Sequence, residues 1–143
     1  MTISRVIARK PTAEVFSVSA EISVQQCINV LAAQRIGAVP VLDGDQLIGI
    51  FSERDLIYCA AKEGPAALDR PIREVMTAQP FTATPDVSVL EALALMTKRR
   101  VRHLPVMQDG KLIGLVSIGD LVKFRIDSIE QEAEAMRAYI QSA

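Results

Sequence analysis

The chain has 143 residues, half of them hydrophobic and 23% charged, with a net charge of −1. That balance supports a buried core and excludes a disordered chain. It leaves no basic field for nucleic acid or an anionic membrane surface, and no window approaches the roughly 20 apolar residues of a membrane span.

The opening stretch, Met1 to Phe16, lacks an unbroken apolar run of signal-peptide length, so a cytoplasmic protein is expected. "EVFSVS" (14–19) reads as a first strand. From Ser23, apolar residues recur at Val24, Ile28, Leu31, Ala32 and Ile36, which is helical spacing, and Ser23 with Gln26 has the spacing of a capping box. "AVPVL" (38–42) and "LIGIFS" (47–52) are β-type runs around "DGDQ", a hairpin signal. A helix follows in "ERDLIYCAAKEG" (53–64). "GPAALDRPIREVMT" (64–77) carries Pro65 and Pro71 and reads as a connector.

The same series then begins again. "PFTATP" (80–85) is a strand, and Ser88 with Glu91 predicts a stronger capping box than the first. The helical stripe is Val89, Leu93, Met96 and Val101. "LPVM" and "LIGLVS" flank "QDGK", where the Gly falls one place later than in the first copy, so the two turns are expected to differ in type. "IGDLVKFRI" (118–126) closes the unit. From Asp127 to Ala143, Ile129, Ala133, Met136 and Ile140 share one face of an amphipathic helix of about four turns.

The two halves align at an offset of 65 without a gap. Ser23 meets Ser88, Arg35 meets Arg100, Pro40-Val41 meets Pro105-Val106, Ser52 meets Ser117 and Asp55 meets Asp120. A duplicated unit that cannot close its own core stacks on its copy. The expected fold is α/β (α+β): two β-α-β-β-α repeats, at 12–64 and 78–125, joined by a linker at 65–77 and followed by a helix at 127–143. Cys27 and Cys59 have no CxxC spacing and are expected as buried, reduced thiols.

Each repeat ends its hairpin in Gly-x-x-Ser-x-x-Asp. An ionised carboxylate only accepts hydrogen bonds, so Asp55 and Asp120 suit the paired hydroxyls of a ribose. Ser52 and Ser117 stand where strand becomes helix, a place that favours an anion. The same residues also cap a helix with no ligand at all. Arg102 offers a planar fork of donors for phosphate. His103 is the only histidine, which excludes a His-based metal cluster and a Ser-His-Asp triad. There is no Gly-rich phosphate loop and no nucleophile–base pair, so an enzyme is not expected.

Residues 12–125 resemble a tandem pair of CBS domains. The resemblance is carried by "GIFSERDL" (Gly49–Leu56), "GLVSIGDL" (Gly114–Leu121), "VRHLPV" (Val101–Val106) and "VMT" (Val75–Thr77). It implies two units about a pseudo-twofold axis, two clefts between them, and sensing rather than catalysis. Such clefts hold AMP, ADP, ATP, NADH or S-adenosylmethionine, with no metal required. The resemblance further implies a ligand-contacting Thr82 near ribose and phosphate, Met76 and Thr77 at the adenine, a homodimer, and a regulated protein partner. The first copy has Gly37 and Ala38 where the second has Arg102 and His103, and the second has Gly119 where the first has Arg54. One strong site is therefore expected at Ser117 and Asp120, assisted by Arg54 from across the interface, with the first cleft weak. A scaffold that dimerises and keeps vestigial clefts is the alternative.

Overall fold

The computed structural model describes residues 1–10 and 15–142. Its first half runs α1 (Ile3–Ala8), β1 (Val18–Ser19), α2 (Val24–Gln34), β2 (Ala38–Asp43), β3 (Gln46–Ser52) and α3 (Glu53–Glu63). A 3₁₀ turn at Gly64–Asp69 leads to α4 (Ile72–Val75) and β4 (Thr77–Ala78). The second half is α5 (Val89–Arg99), β5 (His103–Gln108), β6 (Lys111–Ser117) and α6 (Ile118–Ser142).

Equal residues make equal geometry at the offset of 65. Both hairpins carry a register shift at the same place, Val41/Leu42 and Val106/Met107. Both α2 and α5 end on an arginine in the left-handed region, Arg35 (φ 53) and Arg100 (φ 55). The turns differ as expected. Gly44 alone has positive φ in the first, whereas Asp109 and Gly110 both do in the second, the pattern of a type I′ turn.

The first strands are shorter than the sequence suggests. Only Val18–Ser19 pairs with β2, in parallel, and the second copy keeps a single parallel bridge, Ala83 to Val106. Glu14 lies outside the described residues. The capping box at Ser23 is complete, but at Ser88 only half forms. There the chain at Met1–Ile3 lies alongside: Thr2 bridges Ser88 and the Val89 amide donates to the Met1 carbonyl. In α2 the inward residues are Val24, Cys27 and Leu31, while Ala32 faces solvent. Burial pushes the Cys27 thiol up to about 11. Cys59 is half-buried rather than enclosed.

Two cores form, and each borrows a short helix from elsewhere in the chain. The first gathers Val18, Val24, Leu31, Val39, Phe51 and Ile72. The second gathers Val89, Met96, Leu104, Val116, Leu121 and Phe124 with Ile3 and Val6 of α1. The connector is thus part of the first core, and α1 closes the second. The two helices enter alike: the Ile72 amide donates to the Ile22 carbonyl at 2.8 Å, and the Ile3 amide to the Val87 carbonyl at 2.9 Å. Sequence supports the equivalence once the offset becomes 69, since Ile3, Val6 and Pro11 then meet Ile72, Val75 and Pro80.

The copies diverge just after these helices. The first continues into β4, which pairs with Gly49 and Ile50 and completes a four-stranded sheet, β1-β2-β3-β4. The corresponding Ala8 and Arg9 instead finish α1, with Arg9 as its cap in the right-handed helical region, and β5-β6 stays two-stranded. The tail is also not a separate element: α6 is one helix of 25 residues, continuous with the last helix of the second repeat.

Candidate functional site

Glycine lets the end of each borrowed helix lie against a hairpin. A Cβ on Gly49 would stand 2.4 Å from Met76 Sδ and 2.9 Å from the Thr77 carbonyl oxygen. Thr77 is thereby held beside the start of α3, where its hydroxyl donates to Asp55 Oδ1 at 2.8 Å. The other carboxylate oxygen accepts from the Ser52 amide at 2.9 Å and the Ser52 hydroxyl at 3.1 Å. Ser52 and Asp55 form a complete capping box, so their helix-stabilising role is realised in full.

Next to this carboxylate is a cleft of about 430 Å³ between the two units. Ser52, Glu53, Arg54, Asp55 and Thr77 come to it from the first unit and its connector. Arg99, Arg100, Arg102 and His103 come from the second. Ile50, Ala78, Pro80 and Phe81 add apolar wall. Arg54 crosses the junction, donating through Nη1 to the Arg100 carbonyl at 2.8 Å. Arg99 lies over the Phe81 ring, 4.9 Å from its centre. Four arginines against two carboxylates give the cleft a positive balance. His103 is half-buried. Desolvation lowers its pKa below the ordinary 6.5, against the pull of the Asp120 and Glu53 carboxylates.

The equivalent position in the second unit is filled from within the chain. Lys10 places its ammonium 3.0 Å from Asp120 Oδ2 and 2.7 Å from the Leu115 carbonyl oxygen. Ile7 lies over Gly114, as Met76 lies over Gly49. Asp120 also accepts from the Ser117 amide at 2.9 Å, and its own amide donates to the Ser117 hydroxyl at 3.0 Å. Burial would raise the Asp120 pKa, but the Ser117 amide and Lys10 outweigh it and hold the group below its ordinary 3.8. What stays open here is a pocket of about 200 Å³, lined by Arg9, Lys10, Asp120, Lys123 and Asp127 with Val6 and Phe124.

The structure therefore divides the expected residues differently. Ser52, Arg54, Asp55, Thr77, Arg102 and His103 line one cleft. Asp120 stands in the other, under Lys10, with Ser117 at its cap. Arg54, expected to serve Asp120, faces the cleft of Asp55 instead. Met76 is half-buried against the first core, and Thr82 is exposed outside both clefts. Lys10, Glu53, Phe81, Arg99 and Arg100 were not singled out by the sequence. The run Lys98-Arg99-Arg100 followed by Arg102 was a visible signal for two of them, and the offset of 69 was the signal for Lys10. Among the described residues, no cluster of three His, Cys, Asp or Glu side chains is placed to hold a metal ion. No helix there is long and apolar enough to cross a membrane.

The family model for the CBS domain matches residues 3–62 and 72–127. Both matches begin at the borrowed helices. A solved structure of a protein with CBS domains from Burkholderia ambifaria is 39% identical and superposes with a TM-score of 0.84, covering 89% of this chain and 95% of that one. The mitochondrial CBS domain-containing protein CBSX3 of Arabidopsis thaliana is 35% identical over 124 residues, 83% of this chain. The match spans 60% of that relative's length. The structure of CBSX2 in complex with AMP shares the fold at 24% identity and a TM-score of 0.74, covering 88% of this chain and 96% of that one.

Proposed function

The chain belongs to the CBS-domain family, and from that premise we propose that it is a regulatory module that binds an adenine nucleotide in the cleft of Asp55 and signals occupancy to a protein partner. The observation that carries this reading is the composition of that cleft. A carboxylate with acceptor capacity to spare stands in the same 430 Å³ space as four arginines and an apolar wall. The volume is within the range of small-molecule sites. The carboxylate suits ribose hydroxyls, guanidinium groups suit phosphate, and Ile50, Ala78, Pro80 and Phe81 suit a flat base. A phosphorylated ligand such as AMP, ADP, ATP or NADH uses every part of this set. S-adenosylmethionine offers one carboxylate beside a sulfonium and an ammonium and is net positive, a poor match for four arginines in one cleft. AMP held by CBSX2 on the same fold supports the reading.

Binding here touches both units at once. Arg54 would exchange the Arg100 carbonyl for phosphate, so occupancy changes the bond that spans the junction. A ligand shifts such an equilibrium only by its difference in affinity between two packings. The output is relayed through a homodimer to a partner protein. Exposed apolar residues on α3 and α6, among them Ile57, Tyr58, Val122 and Ile126, favour the second reading, an assembly module with idle clefts. Thermal unfolding against AMP, ADP, ATP, NADH, S-adenosylmethionine and GTP separates the two. A ligand at a hundred times its Kd adds about 2.7 kcal/mol, or about 5–10 °C for a chain of this size. No shift with any of the six, in protein free of co-purified ligand, would sustain the assembly reading.

A further inference from the structure

We propose that α6 pairs with α6 of a second copy as a parallel, in-register, two-stranded coiled coil. This deepens the homodimer part of the reading above and is independent of the ligand.

Every residue of α6 from Ile129 to Ser142 is exposed, so the chain's own body covers none of it. A lone helix of that length is marginal in water. Along the exposed side stand Val122, Ile126, Ile129, Ala133, Met136 and Ile140. Their spacing alternates 4, 3, 4, 3, 4 without a break, the repeat of a coiled-coil seam over three heptads. Ile126, Ile129, Met136 and Ile140 are 51%, 48%, 59% and 65% exposed, although a seam of this kind is built for burial. The helix turns a different face, Leu121 and Phe124, to its own core, which leaves the seam free.

Charge identifies the occupant. Taking Ile126, Ala133 and Ile140 as position a, the flanking g residues are Arg125 and Glu132, and the flanking e residues are Glu130 and Arg137. In a parallel pair each g residue meets the e residue five positions later on the other helix. Arg125 then faces Glu130 of the second copy, and Glu132 faces Arg137 of the second copy. Both pairs are opposite in sign, and symmetry doubles them. An antiparallel pair through the same seam matches e with e and g with g. It would set Glu130 on Glu130, Glu132 on Glu132 and Lys123 on Arg137, all repulsive. With the seam fully overlapped, the pattern thus fits its own copy in one direction only; an antiparallel pair slid by one heptad sets Lys123 on Glu130 and Arg125 on Glu132 but leaves Met136 and Ile140 without a seam partner.

Sedimentation equilibrium and thiol cross-linking test this on the full chain. Ile129→Lys is expected to weaken dimerisation by about a hundredfold or more, because a seam residue is lost from both copies. An unchanged melting profile of the clefted body would show that the variant still folds. Met136→Cys in a Cys59→Ser background places equivalent thiols face to face, and mild oxidation is expected to link most chains through them. A dimer that ignores Ile129→Lys and fails to cross-link would overturn the coiled coil and leave the homodimer standing on another surface. A wild-type monomer at tens of micromolar would overturn both.

Discussion

Replacing Asp55 by Asn tests the cleft most directly. A carboxylate has about four acceptor positions. The Ser52 amide and hydroxyl occupy two on one oxygen, and the Thr77 hydroxyl occupies one on the other. One position is free, and rotation of the Thr77 hydroxyl releases a second. Two is the number a ribose requires. Asn keeps a single oxygen and replaces the other with a donor, so at least one charge-assisted bond to the ligand is lost. Such bonds are worth about 1.5–3 kcal/mol, which predicts a fall in affinity of about 10- to 150-fold. The Asn oxygen still accepts from the helix cap, so the accompanying loss of stability is held to about 1 kcal/mol. The control is Asp120→Asn, whose carboxylate is already engaged by Lys10 and Ser117, and affinity there should change by less than about threefold. Isothermal titration of both variants with the best ligand of the panel decides the matter. Unchanged binding in Asp55→Asn with loss in Asp120→Asn would place the site in the second unit and refute the reasoning.

Gly49→Ala should destabilise the chain by about 1–3 kcal/mol in denaturant melts, because its Cβ meets the Thr77 backbone and not only a yielding side chain. Gly114→Ala should cost less, since it meets only the tip of Ile7 at 3.0 Å; equal costs would contradict this. Lys10→Met removes an ion pair whose partners are each about one-third exposed, and a loss of about 1 kcal/mol is expected. It also uncovers Asp120, so calorimetric stoichiometry should rise above one ligand per chain, and an unchanged value would count against Lys10 as the occupant. The Asp120 pKa is depressed in the folded chain, so its stabilisation is present above pH 3.8 and lost as pH falls through the folded value; Lys10→Met should shrink that acid loss. His103 is likewise depressed, below 6.5, so the unfolded chain binds the proton first and stability declines as pH drops from 6.5. His103→Gln should flatten that part of the pH–stability curve, and an identical curve would remove His103 as its source.

The repeat was legible because its equal residues carry equal local constraints. The left-handed arginines, the twin bulges and the two Ser–Asp caps are settled within a few residues of themselves. The exchange of α1 and α4 was not legible by the same route. Which core a short apolar helix closes is decided by tertiary packing, and the change of offset from 65 to 69 hid the correspondence. The candidate site followed the same division. Ser52, Asp55 and Thr77 belong to motifs and were found. The link between Lys10 and Asp120 spans 110 positions and has no local signature. The charges of Arg102 and His103 were noticed, but the unit whose cleft they line depends on how the halves stack.

The borrowed helix also sets an order of events during synthesis. Ile3 and Val6 are made 118 positions ahead of their partners Leu121 and Phe124. At about 5–20 residues per second, that delay is roughly 6–23 s. The first core needs only Ile72 to close and can form while the second half is still being made. For that interval the nascent chain trails a short apolar segment with nothing to bury it. Chaperone capture in the cell, and a slow refolding phase sensitive to Ile3→Ala in the test tube, are therefore expected to trace to α1 and not to α6.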